Sequence, residues 1–201
     1  MSMALKILRL SLQDIWQELW TILVVNLLFL VATILVITAP PATLALFYYG
    51  NRIVHDEIAT ERDFLRAIRE YWGPAWRWGF INITVIAFLT GDYYLVGRLT
   101  ENTDLAAFVQ GLYVILLAGW LLLQWFTLPF LLEQKEPRVG QAFRNAALFM
   151  SKNFVFVFIL ALLLILSLML GTLVFMLTFV FGGAFVAFAG NRAVLMALSE
   201  N

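Results

Sequence analysis

His55 is the only histidine, and it stands beside Asp56 and Glu57. Imidazole next to carboxylates could hold a metal or move a proton. A metal needs several convergent ligands, however, and with no Cys and no second His the sequence supplies none to join it. A solvated histidine at a membrane interface is its ordinary role. Ser2, Ser11, Ser151, Ser167 and Ser199 lack a Gly-x-Ser-x-Gly elbow. The phosphate-cradling Gly-x4-Gly-Lys-Ser/Thr pattern is also missing, which excludes an ATPase subunit. Gly182-Gly183 has no strand-turn-helix context and suits a turn or a close helix crossing. We therefore expect no catalytic residue, no metal set, no cofactor and no enzyme.

Polar residues inside apolar stretches form the second group of candidates. Asp92, beside Gly91 and Tyr93, is the one acid close to an apolar span. An intramembrane acid can serve an ion or proton path, but Asp92 falls near the outer end of its span, where water reaches it. Asn26, Asn82, Gln110 and Gln124 lie within spans, as do Thr33 and Ser167. They either hydrogen-bond between helices, at roughly 0.6–2 kcal/mol each, or line a polar path for a solute. Phe47-Tyr48-Tyr49 and Trp76-Arg77-Trp78 could stack on sugars, although interfacial anchoring accounts for them as well.

These residues must be positioned by membrane helices. Of 201 residues, 63% are hydrophobic and 13% charged, against about 25% charged in a soluble domain. Zero net charge gives no reason to expect nucleic acid as a partner. No charged side chain occurs between Glu18 and Arg52, Asp104 and Glu133, or Lys152 and Arg192. A span needs roughly 20 apolar residues, so the first and last intervals are long enough for hairpins. Pro40-Pro41 divides the first, and Gly171 or Gly182-Gly183 the last. The expected fold is all-α, a single integral domain over residues 1–201. Its spans fall near 18–39, 41–56, 76–97, 105–132, 153–175 and 178–198, about six, or five if 41–56 does not cross. With both termini in the cytoplasm, every Lys and Arg except Arg98 falls inside, as the positive-inside rule asks. Glu101 is then external, and the chain is a multi-pass protein of the cell membrane. The opening MSMALKILRLSLQDIW reads as retained, not as a cleaved signal.

Three amphipathic segments precede the hairpins. Leu5, Leu8, Leu12, Ile15 and Leu19 recur at helical spacing in the first. Phe64, Ile68, Tyr71 and Trp72 share one face of the second, behind a Thr60/Asp63 capping box. Val139, Phe143, Ala146 and Met150 do so in the third, which Pro137 could open. Such helices can lie in the headgroup plane, so the chain reads as three units, each an interfacial helix and a membrane hairpin. The first and third hairpins both end in Gly-Asn-Arg-x-Val, at Gly50–Val54 and Gly190–Val194. Duplication would produce this; so would the general likeness of short apolar segments. Asn51, Arg52, Asn191 and Arg192 are therefore candidate structural or binding residues on one side of the membrane. Each Arg could reach headgroups or an opposing acid such as Glu57 or Glu70, while each Asn could satisfy carbonyls near a helix end.

The run Pro41-Ala-Thr-Leu-Ala-Leu-Phe-Tyr-Tyr, then Asn51-Arg52-Ile53-Val54 and Arg62-Asp63-Phe64-Leu65-Arg66-Ala67, resembles the YesL-like bacterial membrane proteins. The first apolar span and Arg144-Asn-Ala-Ala also fit; Pro40-Pro41 replaces an expected Gly-Pro. The resemblance implies a membrane protein of unsettled activity, associated with carbohydrate uptake and ABC transporter subunits. A nonenzymatic accessory is the leading expectation. A small solute transporter or channel, or an adaptor that shapes the bilayer, are the alternatives.

Overall fold

A computed structural model describes residues 3–100, 102–173 and 175–199, with the side chains of 171–181 and 199 left aside. Among these residues the chain forms nine α-helices and no strand: α1 Met3–Gln17, α2 Leu19–Ile34, α3 Ala39–Val54, α4 Glu61–Glu70, α5 Trp72–Leu99, α6 Thr103–Leu132, α7 Val139–Lys152, α8 Phe154–Leu173 and α9 Phe175–Ser199. The three expected amphipathic segments are α1, α4 and α7. The six segments expected to span are the other helices. Glu101, expected outside the membrane, lies beyond the described residues.

Length separates these helices into kinds. α5 and α6, with 28 and 30 residues, are each long and apolar enough to cross a membrane. Among the described residues the pairs α1–α2 and α7–α8 also pass this test when each is taken as one unit, bent by 94° and 98°. By length and composition the candidate spans among the described residues number two to four; about six are expected from the sequence, and residues 171–181 between α8 and α9 lie outside this count. α2 and α3 have 16 residues each, about 24 Å of helix at 1.5 Å per residue, short of about 30 Å of hydrocarbon. α3 instead serves as a central core helix, with Leu44, Ala45 and Tyr49 fully buried.

The packing repeats. α3 lies against α4, the helix that follows it, and α6 lies against α7; α9 lies against α1. α3, α6 and α9 also touch one another at the centre. The three hairpins are therefore arranged cyclically, and the last contact joins the two ends of the chain. Small residues permit this approach: Ala42 and Ala45 on α3, and Ala184, Ala187 and Ala193 on α9, are buried. Lipid tails are as apolar as Leu, so close van der Waals packing must hold such helices together.

Two local features are set by side-chain hydrogen bonds. Thr38 is the residue before α3, but its hydroxyl does not cap that helix. It donates backwards to the carbonyls of Ala32 and Leu35, because Pro40 and Pro41 leave few N–H groups to cap. On α1 the apolar stripe at Leu5 and Leu12 is exposed, by 46% and 56%. The face turned inward is Ala4, Ile7, Leu8, Ser11 and Asp14. Burying Asp14 draws this helix round, for a reason found on α9. On α4 the expected capping box is present, Thr60 and Asp63 capping each other, and Phe64 is fully buried; Trp72, expected on the same face, instead begins α5 and is 40% exposed. Gly182-Gly183 lies inside α9 and makes a helix crossing, with Asn26 Oδ1 3.0 Å from where a Gly183 Cβ would stand.

Candidate functional site

The ends of the three central helices carry one connected polar cluster. Asn191 Nδ2 donates to the Phe47 carbonyl of α3 at 3.1 Å and to the Ala187 carbonyl at 2.9 Å. Both partners only accept, so the amide orientation is fixed, and Asn191 Oδ1 accepts from Asn51 Nδ2 at 3.3 Å. The same Asn51 nitrogen donates to Glu133 Oε1 at 2.7 Å. One residue from each of α3 and α9, together with Glu133 just beyond α6, thus meets in a chain of fixed direction. His55, the residue after α3, holds Nδ1 against the Asn51 carbonyl at 2.8 Å. A carbonyl requires Nδ1–H there, which leaves Nε2 facing Glu133 Oε1 at 3.5 Å. Asp56 ends α3 in the left-handed region, φ 59°. The Glu57 N–H returns to the Arg52 carbonyl and the Asp56 N–H to that of Ile53, the paired bonds of a Schellman ending.

Both arginines beside these asparagines are committed to carboxylates. Arg52 reaches Glu57 and Asp63, each at 2.9 Å. Arg192 makes a two-pronged pair with Asp14, Nε to Oδ2 at 2.9 Å and Nη2 to Oδ1 at 2.7 Å. Hence α3 is tied to the α4 start and α9 to α1. Glu57 is the acid expected beside Arg52; Asp14 and Asp63 are partners from outside the expected set, and Glu70 forms no ion pair with either arginine among the described residues.

Asp63 illustrates the local electrostatics. Burial pushes its carboxyl up, but the Thr60 hydroxyl and N–H and the charges of Arg52 and Arg66 outweigh that and hold it below the ordinary aspartate value. A depressed folded value means stability present above the unfolded pKa, about 3.9, and lost as pH falls through the folded one. Asp63→Asn should therefore cost about 1–3 kcal/mol at neutral pH, the range for a hydrogen bond to a charged group with its cap. The difference from wild type should shrink below about pH 4. Melting curves of both proteins from pH 7 to 3 measure it; a gap that stays constant contradicts the assignment.

The candidates for a polar path separate into different places. Asn82 and Gln124 come together between α5 and α6. Gln124 Oε1 accepts from Trp78 Nε1 at 2.8 Å and Asn82 Nδ2 at 3.1 Å, and Asn82 Oδ1 accepts from Trp120 Nε1 at 3.1 Å. Two donors on Oε1 fix the Gln124 amide, and its Nε2 is left buried without a partner. Gln110 binds the Tyr93 carbonyl farther along the same hairpin. Asn26 stands apart on α2, bonded to the Ile22 carbonyl. Asp92 accepts from the Tyr113 hydroxyl at 3.4 Å. Phe47 and Tyr49 are buried, which removes them from any exposed stacking surface.

Glu133 is the member of the cluster that sequence reasoning missed. It was one charge among several after span four. Its signal was positional: it follows α6 much as Asn51 and Asn191 lie toward the C-terminal ends of α3 and α9. It also borders a groove of about 500 Å³ with Lys135, Arg138 and Asn145. Among the described residues no three His, Asp or Glu side chains gather as a metal-holding group.

A family model described as "Protein of unknown function, DUF624" matches residues 22–93. The matched stretch runs from α2 into α5 and contains Pro41–Tyr49, Asn51–Val54 and the α4 capping box. No curated protein and no solved structure matches the chain.

Proposed function

We propose that the chain is a nonenzymatic component of the cell membrane, with both termini cytoplasmic, that acts as an accessory to an ABC-type carbohydrate uptake system. The supporting observation is how its polar groups are used. Arg52, Arg192, Asp14, Asp63, Asn51, Asn191 and Glu133 bind one another across four helices and the end of α6. Such bonding fixes α1 and α4 against the central helices, and a rigid set of amphipathic helices is a docking surface. The orientation follows from the one-sided Lys/Arg distribution, and the sugar association rests on the family resemblance.

One observation favours a second reading, a small solute transporter. The buried, unpartnered Gln124 Nε2 beside Trp78, Asn82 and Trp120 is a donor that a passing solute could use. Purification of the tagged chain in mild detergent separates the readings. A sugar-type ABC permease recovered in fixed ratio supports the accessory. Recovery alone, with solute flux in liposomes that Gln124→Leu abolishes, supports transport and overturns the accessory role.

A further inference from the structure

We propose that the groove between α1 and the α8–α9 hairpin binds one anionic phospholipid of the surrounding bilayer, with its phosphate at Arg9 and an acyl chain along the groove. The groove has a volume of about 890 Å³. Leu5, Leu8, Leu12 and Trp16 line it from α1, and Leu168 and Phe185 face them from the hairpin. Arg9, Gln13 and Gln17 border it at i, i+4 and i+8, which places them in one strip along the helix. An apolar strip thus runs beside a strip of one cation and two amides. That is the order of a lipid's parts, with a hydrocarbon chain next to a phosphate and its ester oxygens.

Charge points to an anionic headgroup. Arg52, Arg66, Arg138 and Arg192 each have a carboxylate partner. Arg9 is exposed and has no ion pair among the described residues. Lys6, three residues earlier and also exposed, does not border the groove. The acid on α1 that could neutralise them, Asp14, is taken by Arg192. The same pairing rotates α1 so that Leu5 and Leu12 are left uncovered.

Geometry points to the bilayer as the source. α1 meets α2 at 94°, the attitude of a helix lying in the interface beside one that enters the membrane. Trp16 and Trp20 at this corner are exposed by 77% and 83%, as interfacial indoles are. The groove also reaches Gly182, ten residues before Arg192, or about 15 Å along α9. It therefore extends from the charged end of the bundle into its apolar length.

The test uses the full chain in detergent, with dioleoyl phosphatidylglycerol or dioleoyl phosphatidylcholine added and bound lipid counted by native mass spectrometry. Wild type should hold one phosphatidylglycerol per chain, about fivefold more tightly than phosphatidylcholine, as one basic contact supplies. Arg9→Gln should erase that preference without lowering the lipid-free melting temperature, because Arg9 is exposed. Leu12→Trp should fill the groove and reduce both lipids; if that variant does not fold, Arg9→Gln decides alone. Equal binding of the two lipids by wild type, or a preference that survives Arg9→Gln, overturns the proposal. So does a lipid-free dimer that Leu12→Trp dissociates, which would make a second copy the occupant.

Discussion

Arg192→Ala should cost about 3–5 kcal/mol, because it strands a carboxylate in a nearly closed site. Asp14 and Arg192 have side-chain exposures of 9% and 17%, and two charge-assisted bonds of 2.7 and 2.9 Å join them. This pair is the polar part of the contact that closes the last helix onto the first. Arg192→Lys keeps the charge but not the planar fork, so it should lose one prong and still melt below wild type. Arg52→Lys should lose less: of its two partners Glu57 is exposed, where pairs contribute about 0–1 kcal/mol, and the ammonium keeps a charge for Asp63, which Thr60 and Arg66 also hold. The double variant Asp14→Leu/Arg192→Met should recover most of the loss, because a buried pair replaced by apolar groups is often close to neutral. Thermal unfolding of wild type and the four variants in one detergent measures this. Wild-type melting of Arg192→Lys would show that the arginine serves only as a positive-inside signal.

How much of this was legible before the fold was known differs from feature to feature. The nine helices of the described residues, in three groups, follow from hydropathy and amphipathic spacing, which are local. The α4 capping box is local too, since Thr60 and Asp63 are three residues apart, and it was readable in full. The face of α1 was not. Its letters offer two stripes, and the more apolar one at Leu5 and Leu12 is the exposed one. What decides is Asp14, whose partner lies 178 residues away. Similarly, Asn51 and Asn191 were noticed as a repeated pair, but not that they bond to each other, because their separation of 140 residues leaves no trace in spacing. Glu133 went unread for the same reason. In membrane-type helices apolar residues are needed on every side, so periodicity carries little about orientation, and polar contacts between distant helices settle it instead.

Glycine supplies the other large effect. Gly79→Ala should lower stability by about 1–3 kcal/mol, the usual cost of overpacking a well-filled contact. A Cβ at Gly79 would stand 2.9 Å from both Cβ and Cγ of Pro40. The obstacle is a ring whose φ is locked near −65° and which begins the central helix α3, so it cannot swing aside as a long side chain could. Relief must come from moving α5 away from α3, and that contact also lies next to the Trp78–Gln124 bond at 2.8 Å. Helix propensity works in the opposite direction, since Ala exceeds Gly by about 0.8–1 kcal/mol in a helix interior. Gly91 is the control on the same helix: nothing lies within 4 Å of a Cβ built there. Gly91→Ala should therefore raise the melting temperature slightly, while Gly79→Ala lowers it and quenches or shifts Trp78 fluorescence. If the two variants melt alike, the close approach of α3 and α5 at Pro40 is not a feature of the folded protein.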